Sequence, residues 1–179
     1  LTAYDPDYIR LVAPFELSLA QTVNVQILLD GKGTMLADAA QLEDKPYASP
    51  YNLLENGSFE ETVFTTQGGW FPVTTQNYTD EDVFNGGHAM KMSGNLNMVG
   101  FVYQDVEVRA TRSTRETFTL SGWAKGYGLP VYERENVTHA PQFGLRVEIH
   151  YDDNEEDKVE THTAGFSPCT EEWQYVSLE

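Results

Sequence analysis

Alternation of apolar and polar residues dominates the chain. Val23, Val25, Ile27 and Leu29 alternate with Asn24, Gln26 and Leu28, and Phe15, Leu17 and Leu19 alternate with Glu16 and Ser18. A period of two marks half-buried strands. After the tight turn Asp30-Gly31-Lys32-Gly33, a returning strand puts Leu36, Asp38, Ala40 and Leu42 on one face. Further strands are expected at 88–92, 98–108, 117–125, 159–166 and 173–178. The cleanest is 143–151, where Phe143, Leu145, Val147, Ile149 and Tyr151 alternate with Gly144, Arg146, Glu148 and His150. Residues 8–13 read as a strand stopped by Pro14. Residues 44–51 read as a linker, 74–82 as a polar loop, 126–142 as a long excursion and 152–158 as an acidic hairpin tip. Helical periodicity is confined to a short turn near residue 5 or 20. Short strands separated by turn signals predict an all-β sandwich or jelly roll.

One stretch stands apart. In Asn52-Leu53-Leu54-Glu55-Asn56-Gly57-Ser58-Phe59-Glu60 an apolar pair leads into Asn56-Gly57, two residues that tolerate positive φ, and then into an aromatic followed by a carboxylate. It reads as the start of a β-sandwich module.

Composition narrows the partners. Lys and Arg number 11 against 28 Asp and Glu, a formal charge of −17. That surface repels nucleic acid and anionic lipid. No apolar run approaches the ~18 residues of a membrane span, so no membrane insertion is expected. Cys169 is the single cysteine, so no internal disulfide forms and the core must carry the stability. Sequons at Asn56, Asn77 and Asn136 matter only where Asn is glycosylated.

The ordered pieces from 52 onward resemble carbohydrate-binding modules of the family four, nine and twenty-two type. Residues 52–60 resemble their opening, and Gly69-Trp70 the Gly-Trp that follows. Residues 87–92, Val102-Tyr103-Gln104-Asp105-Val106, 117–125 and Glu172-Trp173-Gln174 are similar to later strands. The resemblance implies an extracellular or cell-wall jelly roll of the galactose-binding-domain-like class in a large bacterial protein. It covers 52–179, interrupted at 126–142. The family's closing strand is missing at the end, yet residues 33–43 resemble it. The expected division is therefore 1–45 as the last strands of a preceding module, 46–51 as linker and 52–179 as a sandwich lacking its own last strand. Residues 8–42 would then close that sandwich like a circular permutant, within the chain or in a strand-swapped dimer, among neighbouring modules of a tandem array.

The resemblance also implies a structural Ca²⁺, held by Glu60, Asp38 and carbonyls near Gly57 and His88, hard oxygen donors of the kind calcium takes. Asp38, on a face with Ala40 and Leu42, is expected to point inward and to want a partner. The bland alternative is a hydrogen-bonded Asp. The run 152–157 lacks the glycine and ligand spacing of an EF-hand loop and reads as a solvated tip.

For a glycan, an aromatic ring stacks on the sugar and polar groups take its hydroxyls. Trp123, Arg146, Glu148 and His150 are expected to share one exposed face, with Tyr103 joining them. The alternative is that 126–142 folds over Trp123. Trp70 and Trp173 read as structural. No glycosidase pair, nucleophile elbow, phosphate loop or zinc spacing appears, so no enzyme is expected. The expected function is non-catalytic polysaccharide binding; its rival is a structural spacer or adhesin repeat.

Overall fold

The computed structural model describes residues 15–17, 20–44, 51–62, 69–72, 76–94, 99–108, 116–128, 143–151, 158–166 and 172–178. The expectations for 8–13, the 126–142 excursion beyond Gly128, the 152–157 tip and Cys169 lie outside these residues.

The described residues form eleven strands: β1 (Phe15–Leu17), β2 (Ala20–Asp30), β3 (Gly33–Glu43), β4 (Phe71–Pro72), β5 (Gln76–Thr79), β6 (Ala89–Gly94), β7 (Val99–Glu107), β8 (Glu116–Tyr127), β9 (Phe143–Tyr151), β10 (Lys158–Gly165) and β11 (Gln174–Leu178). They make two antiparallel sheets. The six-stranded sheet runs β1-β8-β3-β6-β5, with β11 also paired to β8; the five-stranded sheet runs β10-β9-β2-β7-β4. The fold is thus all-β, two sheets packed as a sandwich. No helix among the described residues is long and apolar enough to cross a membrane.

The consecutive strands β2 and β3, joined by a tight turn, belong to different sheets. β2 lies between β7 and β9, and β3 between β6 and β8. Its apolar positions Val23, Val25, Ile27, Met35 and Leu42 are fully buried, and they join Met90, Val102, Leu120 and Val147 in one core. Burying each such side chain contributes about 1.5–3 kcal/mol. Residues 20–43 therefore belong to the same core as the strands after residue 70.

Two local expectations need correction. Residues 76–79, read as loop, form β5 against β6, because Asn77 and Tyr78 pair with Lys91 and Met90. The other concerns Asp38. Pairing of β3 with β8 shifts between Asp38↔Trp123 and Gln41↔Ser121, so Ala39 and Ala40 together oppose Gly122. This is a β-bulge, and Ala39 takes a positive φ of 48°. The extra residue reverses the alternation: Ala40 and Leu42 face the core, whereas Asp38, beside Trp123, faces outward. The single face predicted for Leu36, Asp38, Ala40 and Leu42 does not form.

The opening stretch docks on this bulge. Ala40 N–H donates to the Gly57 carbonyl at 2.8 Å, and Leu53 N–H to the Leu42 carbonyl at 2.8 Å. The Asn52 amide donates to Ala40 O (2.8 Å) and accepts from the N–H groups of Leu42 (2.9 Å) and Leu54 (3.0 Å). β6 pairs β3 only as far as Ala37, so residues 52–57 satisfy backbone groups that would otherwise be buried without partners. The chain then turns with Asn56 and Phe59 at positive φ, and buried Phe59 packs on buried Trp70, their ring centroids 5.5 Å apart. The indole of Trp70 donates to the Asn56 carbonyl at 3.2 Å. Gln104, facing inward from β7, accepts from Glu55 N–H at 2.7 Å and donates to Glu55 O at 3.1 Å.

A Cβ at Gly57 would stand 2.2 Å from the Ala40 carbonyl oxygen and 2.6 Å from the Asn52 amide nitrogen. Gly57→Ala is expected to lower stability by about 2 kcal/mol or more in urea unfolding. Ser58→Ala, at an exposed neighbour, should stay within about 0.5 kcal/mol of the parent. Equal effects of the two substitutions would refute the docking.

Candidate functional site

The outer face of the five-stranded sheet gathers polar and aromatic side chains in register. Across it run Phe71 on β4, Tyr103 on β7, Gln26 on β2, Arg146 on β9 and Thr163 on β10. With neighbouring strands about 4.8 Å apart, this row spans roughly 19 Å. The adjacent row is Asp105, Asn24, Glu148 and Thr161. His150 stands exposed one row further, opposite Thr22. Each apolar residue of β2, β7 and β9 that enters the core forces its neighbour onto this face, so the side chains gathered there are a by-product of the alternation that builds the core.

The aromatic end is a small platform. Phe71 stacks on Tyr103 with centroids 5.4 Å apart and planes 26° off parallel, and Phe101 meets Tyr103 at 6.1 Å. All three rings are half-buried. The polar end holds Arg146 and Glu148, whose charged atoms lie 3.7 Å apart.

Between the two ends runs a directed chain of hydrogen bonds. Asn24 donates its amide to the Asp105 carboxylate at 2.6 Å, and Gln26 donates to the Asn24 side-chain oxygen at 2.7 Å. A carboxylate only accepts, so Asp105 fixes which way the Asn24 amide points, and Asn24 fixes Gln26. The chain ends at Gln26 Oε1, which is buried with no hydrogen-bond partner among the described residues. An unsatisfied buried acceptor costs about 1–3 kcal/mol. A hydroxyl donor arriving from a ligand would remove that cost.

Four of the five sequence-predicted glycan contacts thus lie on one face: Tyr103, Arg146, Glu148 and His150. Trp123 does not join them. β8 and β9 belong to different sheets, so Trp123 points from the opposite side of the sandwich. There its ring stacks on Phe84, with centroids 4.0 Å apart and planes 17° off parallel, and meets Tyr175 at 5.3 Å. Trp173 packs on the same Phe84 at 5.8 Å. The residues of this face that the sequence does not single out as glycan contacts are Asn24, Gln26, Phe71, Phe101 and Asp105. Their polarity or aromaticity is plain in the sequence, but the sheet they share is a long-range fact.

The carboxylates expected to hold calcium converge on the segment between β5 and β6. Asp38 is 1% exposed and accepts from Ala39 N–H at 2.6 Å on one oxygen, and from Phe84 N–H (3.1 Å) and Asn85 N–H (2.9 Å) on the other. Half-exposed Glu60 accepts from the N–H groups of Gly87 (2.9 Å) and His88 (3.3 Å), with the His88 ring 3.5 Å away. Gly86, at φ 80°, is packed so tightly on Glu60 that a Cβ would meet Oε1 at 2.1 Å. Burial pushes the Asp38 carboxyl above its ordinary range, against the pull of its three backbone donors, and the Glu60 charge adds to the rise. The Gly87 and His88 donors hold Glu60 below its ordinary 4.5.

Asp38 and Glu60 are hard oxygen donors of like charge, the type calcium takes, although their oxygens already accept backbone N–H groups. Among the described residues no three His, Cys, Asp or Glu side chains come together, so backbone carbonyls and water would complete the shell.

The two shifts act on stability in opposite senses. Glu60, depressed when folded, contributes stability above pH 4.5 that is lost as pH falls through its folded value. Asp38, raised, contributes stability below its unfolded value of 3.8 that is lost as pH rises through its folded value. In Glu60→Gln the fall in stability on acidification below pH 4.5 should be shallower than in the parent, measured by urea unfolding across pH 3–6. Asp38→Asn, which must turn an NH₂ toward backbone donors, should cost about 1–3 kcal/mol at neutral pH. An Asp38→Asn protein as stable as the parent would show that these backbone bonds do not hold the segment at Phe84 and Asn85.

No family model matches the chain, and neither the curated proteins nor the solved structures contain a significant match to it.

Proposed function

We propose that the chain is a non-catalytic carbohydrate-binding module of the jelly-roll type, binding a neutral polysaccharide on the outer face of its five-stranded sheet. The observation that carries this reading is the Asp105–Asn24–Gln26 relay, which ends in a buried unpartnered acceptor beside a stacked aromatic pair. Aromatic faces take the apolar side of a sugar ring and fixed polar groups take its hydroxyls. The net charge of −17 disfavours an acidic glycan. In this reading β2 and β3 fill the places of the family's closing strands, as in a circular permutant, and the chain is part of a tandem array on a bacterial surface or in a secreted protein. A Ca²⁺ at the Asp38–Glu60 seam, completed by the carbonyls of Gly57 and His88, would offset the repulsion between the carboxylates and fasten the segment 84–88.

Two measurements test this. A glycan array followed by calorimetry should give a neutral oligosaccharide ligand. Tyr103→Ala and Gln26→Ala should each weaken it about tenfold, and Trp123→Ala should leave it unchanged. Absence of any binder at millimolar glycan would favour the spacer or adhesin-repeat reading. Separately, millimolar Ca²⁺ should raise the melting temperature of the parent relative to chelator and leave that of Glu60→Ala unmoved; a parent indifferent to chelator has no calcium site.

A further inference from the structure

The opposite face of the sandwich holds a depression of about 330 Å³, at the small end of the roughly 300–1,000 Å³ typical of ligand sites. Leu36, 3% exposed, contributes to it from β3, where it pairs with Lys91 of β6 and Lys125 of β8. Tyr127 forms an aromatic wall, with Thr34 in register beside it. Glu81 and Asp82 close the remaining side.

These groups divide into a fixed set and an available set. Tyr127 is fixed: its hydroxyl donates to Asp82, and Lys125 lies 5.3 Å from its ring centroid. Lys125 and Asp82 neutralise each other across 2.6 Å. Thr79 accepts from Glu81 N–H at 3.1 Å, which pins the backbone of that wall. Available are the Thr34 hydroxyl, the Glu81 carboxylate and the half-buried Lys91, which makes no ion pair among the described residues. Within a chain of charge −17, the four charges at or beside the pocket sum to zero: Glu81, Asp82 and Lys91 line it, and Lys125 pairs with Asp82.

We infer that this depression is a second ligand site, for a single neutral sugar ring. Its aliphatic base and tyrosine wall suit the apolar face of a pyranose. Lys91 supplies donors, Glu81 acceptors, and Thr34 both. A charged ligand would leave one member of the balanced set uncompensated. The inference does not rest on glycan binding at the five-stranded sheet, since the two sites lie on opposite faces and share no residue.

The test is heteronuclear NMR titration of the whole chain with methyl β-D-glucopyranoside, methyl β-D-xylopyranoside and methyl α-D-mannopyranoside. At least one should shift the amides of Thr34, Lys91 and Tyr127. Lys91→Ala, which breaks no ion pair, should weaken that response about tenfold, and Gln26→Ala should leave it intact. Shifts confined to β2, β7 and β9, silence from all three probes, or unaltered affinity in a folded Lys91→Ala would each overturn the site.

Discussion

The bulge in β3 is the constraint from which most of the molecule follows. Placing Ala39 and Ala40 opposite one residue frees backbone groups of a central strand just where β6 stops pairing. Such groups cannot be left dry, and residues 52–57 supply the partners through the Asn52 side chain and the Gly57 carbonyl. Asn52 is suited to this because its amide offers both a donor and an acceptor to a single strand edge. The close backbone approach excludes any side chain at position 57. The asparagines, the glycine and the turn of the opening stretch are thus consequences of one irregularity in another strand.

The same bulge decides how the two outer faces differ. Asp38, left facing outward just before the bulge turns Ala40 and Leu42 inward, is a buried carboxylate under the segment that joins β5 to β6, which it holds through two backbone donors. Glu60 holds Gly87 and His88, Phe84 covers Trp123, and Asp82 meets Lys125 and Tyr127. Four contacts from three parts of the chain therefore strap one segment over the six-stranded sheet. The five-stranded sheet carries its aromatic and amide side chains on an outer face built by regular alternation, without such an irregularity in its pairing from Thr22 to Leu29.

Much of this was legible in the chain. Period-two alternation located β2, β7, β8 and β9, and with them the inward and outward sets, because a half-buried strand has no other pattern available to it. Alternation fails where an extra residue enters, and nothing in Asp38-Ala39-Ala40 announces a bulge; so alternation alone puts Asp38 on the same face as Ala40 and Leu42, where it does not lie. Its failure at Trp123 has a different cause. The outward direction was read correctly, but each strand has two sheets to choose from, and the choice depends on pairing between residues far apart in sequence. Trp123 pairs with Asp38 and Tyr175, whereas Arg146 pairs with Gln26 and Thr163. Gln26 was visible as a polar residue on an alternating strand; its place between Tyr103 and Arg146 was not.

The relay on the five-stranded sheet shows how a few neutral amides acquire direction. An isolated Gln or Asn can present oxygen or nitrogen with equal ease, since the amide turns over at little cost. Asp105 removes that freedom at one end, because it has no hydrogen to give, and each amide hands the constraint to the next. The result is an acceptor at Gln26 that is oriented before anything binds. Its orientation entropy is lost on folding and not on association, and the low-dielectric surroundings that make an empty acceptor costly also strengthen the bond that fills it. On the proposed reading, such a face would discriminate by the presence of a donor at one point. Its charged pair, Arg146 and Glu148, sits where both remain partly solvated and adds little by itself. On the proposed reading, selectivity would reside in the buried amides, with the charged pair on β9 taking the smaller part.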